Sequence, residues 1–264
     1  MKPSDNAAAA HTIARAFVDA RRSGATLADY PGPMPHDLTT AYRVQDTALT
    51  LQSGQVAGWK IGRINPPIDG IGRLSGPIFA DQVVAAAAEP VATPVYAGGF
   101  AAAEAEFLLR IGTAPDPAKH DYTLAEATAL IDAVHVGIEI ASSPFPGINS
   151  NGPLVTISDF GNNNGIVVGR AIADWRDADL LDWPVSLTIN GADTGILTAA
   201  TMLDGPFGAA RFLFEHMARR GIALTQGQWI SSGAVSGVHP VAIGDAVVAH
   251  FNNAYTVECT IAAR

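Results

Sequence analysis

The sequence predicts an α+β chain, with a modest helical region over residues 1–55 followed by a β-rich mixed-sheet region over residues 56–264. Three observations predict it. Apolar residues recur at helical spacing only before residue 55 and in one later segment. After Val56, short alternating or wholly apolar runs separated by turn residues dominate. The order is helices and then mostly strands, without the regular alternation of a βαβ fold. With 264 residues, 48% of them hydrophobic and 16% charged, the chain can bury a sizeable core.

In residues 6–23, Ile13, Ala16, Phe17 and Ala20 keep one helical face, and Gly24 is placed to end the helix. The pairs Arg21-Arg22 and Arg219-Arg220 fall in last turns, where they suit the negative end of a helix dipole. A proline-rich loop over residues 30–35 follows. Asp37 then caps a second helix over residues 39–53, closed by Gly54. Residues 56–62 read as a short strand bearing Lys60 between Trp59 and Ile61. Residues 63–94 hold Pro66-Pro67, Gly70, Gly72, Gly76 and Pro77, and predict a long loop. The strand over residues 104–111 comes next, and Thr123 with Glu126 forms a capping box that opens a helix to about residue 132. Residues 134–140 alternate as a strand bearing His135, read as a packed or hydrogen-bonded histidine, and Glu139. Asn190-Gly191 marks a hairpin. The clearest helix runs from Asp204-Gly-Pro206 to Arg220 with Phe207, Ala210, Phe214 and Met217 as its buried stripe. Strands over residues 228–232, 245–251 and 255–261 complete the chain, the last two joined at Asn252-Asn253.

Composition narrows the function. A net charge of −9 with scattered basic residues leaves no patch to meet nucleic-acid phosphates. The lone Cys259 excludes an internal disulfide and reads as a packed thiol in a reducing compartment. Residues 1–10 lack the apolar core of a secretory signal, and no run is long enough to span a membrane. The expectation is a soluble cytoplasmic protein.

Glu104 and Glu106 are the informative pair. On a strand, residues i and i+2 point to one face, so two carboxylates project together beside Phe107, Leu108 and Leu109. Buried together they demand a cation or a proton between them. On a half-exposed strand they would simply face solvent, and the local sequence leaves both readings open. Glu139 would add a third carboxylate, making an oxygen-only donor set of the type that Mg²⁺ or Mn²⁺ takes. Zinc fits less well, because no cysteine or paired histidine accompanies them. Residues 158–164, with three asparagines and a glycine, are turn chemistry first; if they border a site, Asp159 and Asn163 are the groups able to hold a substrate.

These residues resemble the 2-oxopent-4-enoate hydratase and 4-oxalocrotonate decarboxylase family of the fumarylacetoacetase superfamily. The motifs that carry the likeness run in order along nearly the whole chain. They are Ala41-Tyr-Arg-Val-Gln45, Gly58-Trp-Lys-Ile-Gly62, Glu104-Ala-Glu106, Ile138-Glu-Ile140, Asp159-Phe-Gly-Asn-Asn-Asn-Gly165 with Val167-Val-Gly169, Asn190-Gly191, Asp204-Gly-Pro-Phe207 and Ser232-Gly-Ala-Val235. The resemblance implies a β-rich roll or sandwich of the fumarylacetoacetase C-terminal type. It implies Mg²⁺ or Mn²⁺ held by Glu104, Glu106 and Glu139, with Lys60 in substrate binding or proton transfer. Glutamate as third ligand points to the hydratase/decarboxylase branch, since the hydrolase branch typically has aspartate there.

The implied reaction is hydration of a 2-hydroxy-2,4-dienoate to a 4-hydroxy-2-oxo acid, in aromatic-compound catabolism. A 4-oxalocrotonate-type decarboxylase is the alternative, then an acylpyruvate hydrolase, then a non-catalytic partner subunit. The expected partners are the small 2-oxo acid itself, further copies of the chain in a homo-oligomer, and a related pathway enzyme. One departure stands out: many hydratases place an aspartate, a proposed acid/base, where alignment on Phe79-Ala-Asp81 puts Leu74. That absence would hurt addition of water more than loss of CO₂.

Overall fold

The computed structural model describes residues 3–264. Helix α1 (Pro3–Ser23) and helix α2 (Leu38–Leu51) come first, the second capped by the Asp37 carboxylate accepting from Thr40 N–H. The chain then enters β1 (Val56–Ile68), β2 (Ile71–Phe79), β3 (Val83–Ala85), β4 (Val91–Val95) and β5 (Phe100–Ile111). After α3 (Leu124–Ala129), whose Thr123–Glu126 capping box forms as expected, come β6 (Ile131–Ser143), α4 (Pro153–Ser158) and β7 (Asn163–Ala171). The remainder is β8 (Val185–Ile189), β9 (Ala192–Leu197), α5 (Gly205–Arg220), β10 (Trp229–Ser231), β11 (His239–Pro240), β12 (Ala246–Phe251) and β13 (Tyr255–Ala263).

The strands form two mixed sheets. The larger has eight strands in the order β2-β1-β10-β5-β6-β7-β3, with β11 also on β5; the smaller has the order β4-β13-β12-β8-β9. Parallel pairing is confined to β1 with β10, β3 with β7 and β4 with β13. The main core lies between the two sheets and α5. It takes Ala103, Ala105, Phe107 and Leu109 from β5, Val134, Val136, Ile138 and Ile140 from β6, and Val247, Ala249 and Phe251 from β12. Because strand side chains alternate, Glu104, Glu106 and Glu139 must then project from the opposite face of the large sheet. A second core closes that side, built from Ile13, Phe17, Val44 and Ala48 of α1 and α2 with Phe79, Phe145, Val155 and Phe160.

The loop expected over residues 63–94 is instead mostly sheet. β1 continues to Ile68 and turns at Asp69-Gly70 into β2. The prolines that argued for a loop are tolerated for positional reasons. Pro77 lies on β2, an edge of the sheet path, where an amide donor is not needed on the open side. Pro66 and Pro67 fall where the β1–β2 register shifts between Arg63 and Ile68. Two helix ends also move: α2 stops at Leu51 with Gln52 as its extended cap, and α3 yields at Ala129 to a strand that begins at Ile131. No helix of the described residues is long and apolar enough to cross a membrane.

Candidate metal centre

Register brings the carboxylates together. Glu104 pairs directly with Glu139 across β5 and β6, and Glu106 stands opposite Gly137. One ligand oxygen from each glutamate lies within 4.8 Å of the others, and all three side chains are buried. The solvent-facing alternative for Glu104 and Glu106 is therefore excluded. Their orientation is set by neighbours. Glu106 Oε2 accepts from Ser231 Oγ at 2.5 Å and from Gly233 N–H at 2.9 Å. Glu139 Oε1 accepts from the Asn163 amide at 2.8 Å.

Lys60 enters from β1, with its Nζ 3.1 Å from Glu139 Oε2 and donating to Asn162 Oδ1 at 3.1 Å. Asn162 reaches it because the chain at 160–162 folds over β2. Phe160, Gly161 and Asn162 have φ of 53°, 64° and 57°, a left-handed turn that a bulky residue such as Phe160 rarely adopts. Gly76, paired with Lys60 in the ladder, makes room for it: a Cβ there would sit 2.0 Å from the Phe160 carbonyl oxygen.

The electrostatics favour a cation. Burial first, then the other carboxylates, pushes Glu106 well above the usual glutamate range. Burial raises Glu104 to about 7, against the pull of Lys60. For Lys60 burial works against the charge, but Glu139, Glu104 and Glu106 outweigh it, so its pKa is raised and it stays an ammonium. One ammonium cannot balance three carboxylates. Glu106 Oε1 has no hydrogen-bond partner, and the Lys60 ion pair is the contact at Glu139 Oε2. Buried carboxylate oxygens left in this state fit a hard divalent cation with oxygen ligands, and a cation of the Mg²⁺ or Mn²⁺ type satisfies them. Glu104, Glu106 and Glu139 would hold it.

Glu104 and Lys60 open onto a cavity of about 410 Å³ that also meets Arg63, Arg73, Leu74, Asn162, Met202 and Ser232. The Ser232 hydroxyl is buried there without a partner. Leu74 lines the wall, so the place where an acid/base aspartate was looked for is apolar.

Two of the sequence-proposed substrate groups are engaged elsewhere. Asp159 is not on the cavity wall: Arg21 holds it with Nε–Oδ1 at 2.5 Å and Nη2–Oδ2 at 2.9 Å, and Ser143 Oγ donates to it at 2.6 Å. Arg21 lies in the last turn of α1, as expected, and is in addition the buried half of an ion pair. Asn163 serves the metal centre through Glu139 and does not line the cavity. Asn162, Ser231 and Ser232 are the functional candidates that sequence reasoning passed over. The run Asn162-Asn163-Asn164 carried the signal, but which amide faces which way depends on the left-handed turn. His135 is hydrogen-bonded, as expected, with Nδ1 2.8 Å from Gly169 O. Cys259 is a packed thiol that burial pushes up to about 11.

Comparison with known proteins gives the fold. No family model and no curated protein matches the chain. Among solved structures, 4-oxalocrotonate decarboxylase from Pseudomonas putida G7, complexed with magnesium and adipate, superposes with a TM-score of 0.79 at 19% identity, covering 99% of this chain and 98% of that one. Fumarylpyruvate hydrolase from Pseudomonas aeruginosa, in complex with Mn²⁺ and pyruvate, gives 0.57 at 15% identity, covering 81% and 92%. The 2-hydroxyhepta-2,4-diene-1,7-dioate isomerase from Mycobacterium marinum gives 0.58 at 18%, covering 80% and 77%. These are structures of the fumarylacetoacetate hydrolase family, and the chain has their fold, over nearly its whole length in the decarboxylase and over about four fifths of it in the other two.

Proposed function

We propose that this chain is a divalent-cation-dependent enzyme of 2-oxo acids, and that it removes CO₂ from a vinylogous 2-oxo acid. The observation that carries the first part is the buried triad Glu104, Glu106 and Glu139, which leaves a carboxylate oxygen without a partner beside a cavity that Glu104 and Lys60 enter. When bound, Mg²⁺ or Mn²⁺ supplies a Lewis acid that draws electron density toward the 2-oxygen of the substrate. The chain's own groups do the rest. Ser231 and the Gly233 amide fix Glu106, and Asn163 fixes Glu139, so the donor set is oriented before substrate arrives. Lys60, kept charged by its carboxylates, adds a fixed positive charge and a proton donor on the side where the 2-oxygen gains electron density. Ser232 lines the same cavity, and its hydroxyl has no partner within the protein.

In the decarboxylation the bond to the far carboxylate breaks, its electron pair moves through the double bond toward the 2-oxygen, and CO₂ leaves. A proton added to the resulting dienolate completes the balance. Leu74 favours this reaction over hydration, because loss of CO₂ needs no group to activate water, and an apolar wall there does not stabilise water. Hydration of a 2-hydroxy-dienoate is the second reading. It uses the same donor set and Lys60, and it requires a water activated by a group other than Leu74.

Metal-loaded protein would be given 4-oxalocrotonate with CO₂ release followed, and 2-hydroxypenta-2,4-dienoate with dienol absorbance followed. CO₂ release without loss of the dienol is the expected result. The converse establishes hydration, inactivity of the loaded protein on both removes the two reactions, and protein that binds neither Mg²⁺ nor Mn²⁺ removes the proposal.

A further inference from the structure

The cavity has a second charged end. Arg63 and Arg73 are direct cross-strand partners on the β1–β2 hairpin, and both line the cavity. Arg63 lies three residues beyond Lys60 on β1, a separation of about 10 Å at the usual rise of a strand. Like charges directly opposite one another in a ladder repel, so this pairing carries a cost that something must offset. Asp204 offsets part of it by pairing with Arg73, but Arg211 pairs with the same carboxylate. Among the described residues Arg63 forms no ion pair or hydrogen bond, and it is exposed. Two guanidinium groups thus share one carboxylate, and Arg63, opposite one of them, has none, in a protein whose net charge is −9. The wall also includes Ile61, Leu74, Met202 and Leu203.

We propose that Arg63, held beside Arg73, is a specificity-determining residue that reads a second carboxylate and selects dicarboxylic 2-oxo acids over monocarboxylic ones. The inference rests on the 2-oxo acid reading of the head and adds the residues that recognise the far end. A carboxylate bridging the pair relieves the repulsion and gives Arg63 the partner it lacks. If the reaction expels that carboxylate as CO₂, the charge Arg63 holds is lost on the way to the transition state. The contact then belongs to substrate binding and not to acceleration, so its removal raises KM and leaves kcat unchanged or higher.

Calorimetric titration of the Mg²⁺-loaded protein with three ligands tests this. The ligands are 2-oxobutyrate, which offers the head alone, 2-oxohexanoate, and 2-oxoadipate, which adds only the far carboxylate. The wild type is expected to bind 2-oxoadipate about tenfold more tightly than 2-oxohexanoate, in keeping with a charge-assisted contact at a partly open site. Arg63→Gln brings that ratio close to one, Arg63→Lys retains part of it, and both leave 2-oxobutyrate binding unchanged. Arg63 is exposed, so these variants keep the fold, which an unchanged melting temperature verifies. Equal binding of the two longer ligands by the wild type overturns the inference while 2-oxobutyrate binding keeps the functional reading intact. A ratio that survives Arg63→Gln overturns it too. Failure of the loaded protein to bind 2-oxobutyrate removes the functional reading and this inference with it.

Discussion

Two buried clusters of charge sit side by side on the helix-covered face of the large sheet, and they are built to opposite ends. In one, Arg21 meets Asp159 through two hydrogen bonds, and its remaining donors reach the carbonyl oxygens of Asn163, Ser142 and Asp159 at 3.0, 3.2 and 3.3 Å. Ser143 adds a further donor to the carboxylate. Charges there are equal and every group has a partner. In the other, three carboxylates face one lysine, and Glu106 Oε1 has none. Asn163 joins the two, with its carbonyl on Arg21 and its amide on Glu139. A balanced, saturated cluster clamps α1 and the 159–163 turn to the sheet. An unbalanced one stores a demand for positive charge, which is what a binding site needs.

The largest effect expected from breaking this contrast is at the balanced cluster. Arg21→Met leaves Asp159 buried without its cation and should cost about 3–5 kcal/mol of stability, read from urea unfolding. Retention of wild-type stability would show that the pair is not a clamp. At the unbalanced cluster the sign reverses. Glu106→Gln should weaken Mn²⁺ binding by more than about 100-fold, yet raise the melting temperature of the metal-free protein, because burial and the neighbouring carboxylates push Glu106 toward its neutral form and glutamine removes the cost of that shift. A fall in metal-free stability would contradict the imbalance. Asn163→Ala, at the junction, should weaken the cation by about 10–100-fold through a misplaced Glu139, measured by the same titration.

The smallest effect is the pH dependence of the metal-free fold. Glu104 is raised from 4.5 to about 7, so the folded state holds its proton more tightly than the unfolded chain. That contribution is present in full below pH 4.5 and is lost as pH rises through about 7. Melting temperatures measured from pH 4.5 to 8 after chelation should decline over that window, and Glu104→Gln should flatten the decline.

Much of this site is legible in the residues themselves. The spacing of Glu104 and Glu106 places both on one face of a strand, while the helices that cover that face decide that it is buried. The capping box at Thr123, the hairpin at Asn190-Gly191 and the helix ended by Gly221 are local signals, and each forms where it is written. The β1–β2 hairpin was missed because glycine and proline punctuate it. Their effect depends on whether the strand is an edge and where the register slips, and neither is a local property. Asp159 was misplaced for a related reason. A carboxylate in a polar run looks available until the partner that claims it, Arg21, arrives from 138 residues away.

The sequence by itself determined the split between N-terminal helices and a β-rich remainder, and the placing of Glu104 and Glu106 on one face of a strand, because period-two alternation and side-chain type are written locally. Tertiary structure alone decided which polar groups are claimed and which are left free. It paired Glu104 with Glu139 by strand register, turned Asn162 and not Asp159 toward Lys60 through a left-handed turn, and set Arg63 against Arg73 on the wall of the same cavity. Burial gives these placements their force, since a carboxylate oxygen without a partner costs little in water and much inside a protein.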